Sequence, residues 1–267
     1  MQALMCASMA DTAPSIADLI AAQLPERGAR RPFVLGIAGA QGSGKSTVAR
    51  ELAIRLGCPV LSLDDLYLDG AARRTLAAEV HPLLATRGVP GTHDPARGLR
   101  VIEALAKPET TLLPRFDKAR DEPAPPEPWQ GPANIVILEG WCLGARPQPE
   151  DELVKPLNAL EAERDPDGIW RHWVNARLAN YRALFERIDL LVFLAAPDFE
   201  IVGKWRAEQE HALKRARGED AGMSATELAT FIQHYQRLTE HMLRHGREWA
   251  DMTIALNAKR RAVGVSR

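Results

Sequence analysis

Gly39-Ala40-Gln41-Gly42-Ser43-Gly44-Lys45-Ser46-Thr47 is a glycine-rich loop of the form G-x-x-x-x-G-K-S, the Walker A motif. An apolar run at 33–38 precedes it, and apolar residues at helical spacing follow it as far as Gly57. This order predicts a buried strand, a loop and a helix, which is the context that the motif requires. In such a loop the N–H groups and the helix N-terminus surround a polyphosphate, Lys45 reaches the β- and γ-phosphates, and Ser46 binds Mg²⁺. We therefore predict that residues 39–47 bind a nucleotide.

Size and composition narrow the class of protein. The chain has 267 residues, is 46% hydrophobic and carries a net charge of −1. A full core is therefore possible, while no basic surface favours nucleic acid or an anionic membrane. Three scattered cysteines are typical of a reducing cytoplasm, and no apolar run reaches the ~18 residues of a membrane span. We expect a cytoplasmic protein of unspecified oligomeric state, with a disordered or alternative-start extension at 1–14 and a single domain at 15–267.

The pattern of apolar runs predicts an α/β fold. Further strands are expected at 59–63, 134–140, 189–194 and 252–256, and helices at 15–24, 169–187, 199–217 and after a capping box at 224–227. Because the strands are apolar throughout, we predict a P-loop NTPase fold with a five-stranded parallel sheet and helices on both faces. Residues 70–132, rich in proline and charge, are expected to be a mostly irregular substrate-binding insertion with a helix at 99–106, and residues 204–222 a helical lid.

Three acidic residues follow predicted strands and should lie on the rim that carries the glycine-rich loop. Asp64 and Asp65 end the second strand and could accept a proton from an attacking hydroxyl; only one of them should face the phosphates, because adjacent side chains leave a strand on opposite sides. Glu139 ends the third strand and could hold Mg²⁺ directly or through water. The simpler alternatives are an acidic turn for the aspartates and a solvated strand end for Glu139.

The basic residues and the histidines are weaker indicators of function than the glycine-rich loop and the acidic residues. A mobile basic segment could close over the phosphates; its cations are Arg206, Lys214, Arg215 and Arg217. A solvated charged helix explains this segment equally well. His93 lies in a glycine- and proline-set turn at 87–94, which suits a substrate loop or a purely structural turn. His241 and His245 lack a third metal ligand nearby in the sequence.

Several sequence blocks resemble a known family. The glycine-rich loop, Ser-Leu-Asp-Asp-Leu-Tyr at 62–67 and Leu-Glu-Gly at 138–140 resemble the P-loop small-molecule kinases related to uridine kinase, pantothenate kinase and phosphoribulokinase. The blocks at 87–94, 113–120, 139–146 and 205–210 are most similar to plant-type D-glycerate 3-kinases and their bacterial and fungal relatives. The similarity runs from about residue 33 to the last strand.

The resemblance implies roles for individual residues. Asp64 would be the general base, Lys45 would be catalytic, and Glu139 would assist at the metal or the substrate. The predicted acceptor pocket comprises Asp65, Tyr67, His93, Arg115, Asp117, Lys118 and Arg120. A small anion such as glycerate needs a bidentate cation, and the arginines in this set could supply it. One departure is that the arginine repeat of uridine-kinase lids is absent, so the lid cations rest on the basic run alone.

We therefore expect an ATP- and Mg²⁺-dependent kinase that transfers the γ-phosphate to a hydroxyl of a small organic acid, D-glycerate above all. Three alternatives stay open: a kinase for a nucleoside, pantothenate or a sugar phosphate; a nucleotide-driven switch; and a nucleotide-binding regulator without phosphotransfer. The sequence lacks the [NT]-K-x-D motif of GTPases, and Glu139 is not part of the Asp-Glu pair that motor ATPases use.

Overall fold

The structure, a computed structural model, describes residues 14–25, 32–218 and 222–267. Nearly all of the predicted extension at 1–14 lies outside these residues. No helix within the described ranges has both the length and the apolar character that crossing a bilayer requires.

The centre of the fold is a six-stranded sheet, and a separate two-stranded hairpin lies beside it. In chain order the strands are β1 (Phe33–Gly39), β2 (Val60–Ser62), β3 (Thr111–Asp117), β4 (Glu122–Trp129), β5 (Ile135–Gly140), β6 (Leu190–Ala195), β7 (Met252–Leu256) and β8 (Ala262–Ser266). The sheet order is β2-β5-β1-β6-β7-β8, and the first five strands are parallel. The predicted five parallel strands are therefore confirmed. The sequence did not indicate the antiparallel edge strand β8, because it is exposed and interrupted by Gly264 and so lacks the apolar run of a buried strand.

Helices cover both faces of this sheet. They are α1 (Ile16–Ala21), α2 (Lys45–Leu56), α3 (Gly70–Glu79), α4 (Pro95–Ala104), α5 (Ala159–Arg164), α6 (Ile169–Arg177), α7 (Arg182–Phe185), α8 (Phe199–Arg217) and α9 (Ala225–Trp249). The helix predicted at 169–187 is divided into α6, a 3-10 turn (Leu178–Tyr181) and α7. The capping box before α9 is confirmed, since Ser224 accepts from the Glu227 N–H and Glu227 accepts from the Ser224 N–H.

Two cores result from the alternation of side chains along the strands. Val34 of β1 packs in one core with Trp141 and the apolar face of α9. Leu35 packs in the other core with α2 and Trp205 of α8. Because both faces of the sheet are buried, its five parallel strands must be apolar along their length, which is why these strands are recognisable in the sequence.

The region 70–132 is more regular than predicted. It contains α3, α4 and the β3–β4 hairpin, so the expectation of a mostly irregular insertion is wrong. The helix expected at 99–106 begins earlier, at Pro95, where the Asp94 side chain accepts from the Arg97 N–H at 2.8 Å. Proline usually excludes a strand, but β4 pairs on one side only, and its prolines need no partner on the other.

Candidate active site

The glycine-rich loop joins β1 to α2 as predicted. Gly42 and Gly44 have φ values of 77° and 91°, in the region that side-chain-bearing residues rarely adopt. A Cβ atom on Gly42 would lie 2.6 Å from the Cβ of Trp205, so α8 packs directly against the loop. Lys45 is the first residue of α2, which places the loop at that helix's N-terminus. This geometry is that of a phosphate-binding loop.

Three polar atoms at or beside this loop are buried without a hydrogen-bond partner among the described residues: Gln41 Nε2, Ser43 Oγ and Glu139 Oε2. A buried polar group without a partner costs about 1–3 kcal/mol, so native proteins rarely leave one unexplained. Two potential donors and one carboxylate oxygen are complementary to an anion accompanied by a cation. A nucleoside triphosphate with its metal would supply both.

Glu139 is the buried carboxylate of the rim. It ends β5 between β1 and β2, in register with Ile37 and Ser62, and is only 5% exposed. Its Oε1 accepts from Ser46 Oγ at 3.0 Å and from Ser62 Oγ at 2.7 Å. The alternative of a solvated strand end is therefore wrong. Ser62 was overlooked as a site residue because a lone serine in a strand carries no recognisable pattern.

Ser46 and Glu139 fit a magnesium ion. Mg²⁺ prefers a few hard oxygen ligands from the protein and keeps waters and phosphate oxygens for the rest. A serine hydroxyl and a carboxylate with one unpaired oxygen are such ligands. Within the described residues no cluster of three or more His, Cys, Asp or Glu side chains could hold a metal, so an all-protein site is absent from that part of the chain.

Asp64 lies near enough to the glycine-rich loop for its carboxylate to interact electrostatically with Lys45. It lies in a 3-10 turn (Leu63–Leu66) directly after β2, where its carboxylate accepts from Tyr67 Oη at 2.7 Å and pairs with Lys118 Nζ at 2.5 Å. Burial on its own would raise the pKa of Asp64. The positive charges of Lys118 and Lys45, together with these hydrogen bonds, outweigh it and hold that pKa well below its usual range. Asp64 is thus an ionised carboxylate in the field of Lys45.

Asp65 contacts the β3–β4 hairpin. It accepts from the Phe116 N–H at 3.1 Å and from Arg115 at 3.3 Å. Burial raises the pKa of Asp65 to about 6, although Arg115 opposes the shift. The two aspartates are separated as expected, but a 3-10 turn separates them, not the alternation of a strand.

His93 and Tyr67 form a support beneath Asp64. The two rings stack with centroids 4.6 Å apart, and His93 Nδ1 lies 2.7 Å from the Tyr181 hydroxyl. His93 is 4% exposed, and burial lowers its pKa to about 4, so the ring is neutral near pH 7. Its described contacts are with aromatic side chains. This arrangement holds the Tyr67 hydroxyl that donates to Asp64.

The β3–β4 hairpin carries the other predicted acceptor residues, and their side chains make different contacts. Arg115 bridges Asp65 and Glu127, and Lys118 pairs with Asp64. Asp117 accepts from the Ala119 and Arg120 N–H groups and so closes the hairpin turn. The side chain of Arg120 is exposed at this turn.

Asp121, which the sequence did not single out, ties the tip of this hairpin to the rest of the fold. It has a φ of 58°, which aspartate tolerates better than most residues. Its carboxylate accepts from Arg73 at 2.7 Å and from Arg87, and its carbonyl accepts from Arg73 at 2.9 Å. Arg73 is 2% exposed. The clasp formed by Asp121 with Arg73 and Arg87 therefore fixes the hairpin turn from which Lys118 reaches Asp64.

The predicted lid cations occupy different environments. Arg206 pairs with Glu210 and lies 5.8 Å from the ring of Phe231 on α9, so it packs α8 against α9. Lys214 is half-buried and Arg215 is exposed, while the side chain of Arg217 lies outside the description. A lid role for Lys214 and Arg215 stays a prediction, whereas Arg206 has a packing role in this structure.

The fold and the site together define a P-loop protein that binds a nucleoside triphosphate. Comparisons with known proteins narrow this class, although no family model matches the chain. An uncharacterized kinase of Schizosaccharomyces pombe, mug58, is 36% identical over 228 residues, which are 77% of this chain and 79% of that protein. The chloroplastic D-glycerate 3-kinase of Arabidopsis thaliana is 30% identical over 223 residues, which are 76% of this chain but 46% of the plant protein.

A solved structure extends the similarity. The D-glycerate 3-kinase of Cryptococcus neoformans superposes on this chain with a TM-score of 0.71 at 26% identity. The aligned region covers 94% of each chain. The chain therefore belongs to the P-loop kinases that include D-glycerate 3-kinase, and it is a phosphotransferase. The resemblance inferred from the sequence blocks is confirmed.

Proposed function

We propose that this kinase transfers the γ-phosphate of ATP, with Mg²⁺, to a hydroxyl of a small organic acid, and that D-glycerate, giving 3-phosphoglycerate, is the acceptor. The observation that carries the proposal is the position of Asp64: an ionised carboxylate in the field of the loop lysine, held by Tyr67 and Lys118. A nucleotide switch needs a carboxylate for its metal, a role that Glu139 could fill here, but it needs no second carboxylate to take the proton of an acceptor hydroxyl. The names of the plant and fungal relatives support glycerate as the acceptor.

The phosphate end of the site works mainly by positioning and charge. The N–H groups of residues 39–47 and the Lys45 ammonium would bind the triphosphate, and Ser46 and Glu139 would hold Mg²⁺. When bound, the metal would neutralise charge on the phosphate oxygens. Ser62 keeps the Glu139 carboxylate in place through its 2.7 Å hydrogen bond.

Asp64 would act at the acceptor end. The acceptor oxygen forms a bond to the γ-phosphorus, the bond from that phosphorus to the β–γ bridging oxygen breaks, and the hydroxyl proton moves to the Asp64 carboxylate. A carboxylate with a low pKa is a weak base. Asp64 would therefore orient the hydroxyl first and take its proton late, as a loose phosphoryl-transfer transition state permits.

The charge of the acceptor region favours an anionic acceptor. Lys118, Arg115 and Arg120 are on or beside the hairpin turn, and Arg120 is exposed there. Arg115 and Lys118 already pair with carboxylates, whereas the exposed Arg120 could bind an acceptor carboxylate through two parallel hydrogen bonds. These residues support a small hydroxy acid over a nucleoside.

A substrate screen tests the proposal. ATP consumption would be measured with D-glycerate, L-glycerate, uridine, pantothenate and a sugar phosphate, and the product would be identified by phosphorus NMR. We expect turnover with D-glycerate and a 3-phosphoglycerate signal. Turnover with uridine or pantothenate alone would assign the chain to another kinase specificity, and ATP binding without any product would favour a regulator.

A further inference from the structure

We propose that Arg260 is a positioning residue for the phosphate loop. It lies in the turn between β7 and β8, far from the loop in sequence and outside every block on which the family resemblance rests. Asn257 closes this turn: its carbonyl accepts from the Arg260 N–H at 2.9 Å, and its side chain accepts from the N–H groups of Lys259 and Arg261. Arg260 has a φ of 60° within this turn.

The guanidinium group of Arg260 joins three elements. Its Nε donates to the carbonyl of Gly42 at 2.5 Å, and its terminal nitrogen donates to Glu208 of α8 at 2.6 Å. The group also lies 5.1 Å from the ring of Trp205, the α8 residue that packs on Gly42. Trp205 donates in turn to the Ala258 carbonyl at 2.7 Å, so α8 and the β7–β8 turn are linked from both sides.

This contact matters because of the peptide that it holds. Glycine at a φ of 77° lacks the steric restraint of a Cβ atom, so the Gly42–Ser43 peptide could turn its carbonyl in either direction. A carbonyl oxygen turned toward bound phosphates would repel them. Arg260 binds that oxygen through a charge-assisted hydrogen bond, and the N–H of the same peptide donates to the Ala40 carbonyl at 3.2 Å. The peptide is thus fixed at both ends before the nucleotide arrives.

The effect of Arg260 is therefore one of geometry more than of charge. Glu208 pairs with the same guanidinium group and offsets its positive charge. A loop that is already ordered loses less conformational entropy on binding, which strengthens the binding of a polyphosphate. This inference rests on the nucleotide binding in the proposed function but is independent of the acceptor.

The test compares Arg260→Ala, Arg260→Lys and Glu208→Gln with the wild type. Calorimetry would measure the dissociation constants of Mg-ADP and of inorganic tripolyphosphate, which occupies the phosphate loop without a base. Losing a charge-assisted hydrogen bond should weaken both ligands about tenfold or more in Arg260→Ala. Arg260→Lys should restore part of the affinity, and Glu208→Gln should stay within about threefold because it keeps the bond to Gly42.

Lys259→Ala is the matched control, since Lys259 is an exposed neighbour in the same turn. It should bind both ligands as the wild type does. Affinities in Arg260→Ala within threefold of wild type would overturn the inference. A loss of affinity confined to Mg-ADP would also overturn it, because it would assign Arg260 to binding the adenine instead of the phosphates. If Arg260→Ala does not fold, Arg260→Lys decides: full wild-type affinity in that variant would overturn the proposed role of the hydrogen bond from the Arg260 guanidinium to the Gly42 carbonyl. A wild-type protein that binds neither ligand would overturn the proposed function itself.

Discussion

Replacing Asp64 by asparagine separates the two halves of the proposed reaction. Asparagine has a similar shape and keeps an acceptor for the Tyr67 hydroxyl, but it cannot take the proton of the attacking alcohol. General-base catalysis contributes about 10²–10⁴ in rate, so kcat should fall by at least about a hundredfold. Nucleotide affinity should not fall, because the substitution removes a negative charge from the neighbourhood of Lys45 and of the bound phosphates.

The assay pairs steady-state turnover with calorimetry. Product formation with the best acceptor gives kcat, and titration with Mg-ADP gives the dissociation constant, which should stay within about threefold or tighten. Asp65→Asn is the matched control, since Asp65 is the adjacent residue in the same 3-10 turn but contacts Arg115 and Phe116. We expect Asp65→Asn to retain most of its kcat. Full turnover in Asp64→Asn, or an equal loss in both variants, would refute the assignment of the base.

Three further substitutions test the rest of the site. Glu139→Gln should raise the Mg²⁺ concentration needed for half-maximal activity by about tenfold or more, because it removes the charge of a buried metal ligand; an unchanged magnesium titration would contradict this role. Lys118→Ala should move the acid limb of the kcat/KM profile to higher pH, because Lys118 helps to hold the pKa of Asp64 low; a limb that does not move would show that another group controls it. Asp65 has a raised pKa of about 6, so the folded state binds its proton more tightly than the unfolded state does, and its contribution to stability should fall as pH rises from about 4 to about 6. The Tm of Asp65→Asn relative to wild type should therefore increase across that interval, and a difference that is constant with pH would rule out the raised pKa.

The sequence predicts the phosphate end of this protein well for a physical reason. The glycine-rich loop works through local backbone conformation, so the residues that form it are adjacent in the chain. The five parallel strands are buried on both faces and are therefore apolar without interruption. Asp64 and Glu139 lie where these strands end, and the rule that parallel strands present their carboxyl ends on one rim brings them together.

The acceptor end was predicted less well because its contacts span long distances in the sequence. Asp121 is fixed by Arg73 and Arg87, and no local pattern connects an aspartate to arginines 48 and 34 residues away. The prolines of β4 concealed the hairpin, since one-sided pairing can be recognised only in three dimensions. Arg260, 218 residues from Gly42, is the extreme case.

The clasp at Asp121 has a consequence for altering acceptor preference. Arg73 and Arg87 anchor the hairpin at its tip, and Asp64 and Asp65 bind it through Lys118, Arg115 and the Phe116 N–H. None of these contacts involves the side chain of Arg120. Residues such as Arg120 could be exchanged while the β3–β4 hairpin and the phosphate-binding loop keep their geometry. The hairpin could therefore be replaced as a whole. Grafting the equivalent hairpin from a relative that uses another acceptor should transfer the acceptor selectivity of that relative.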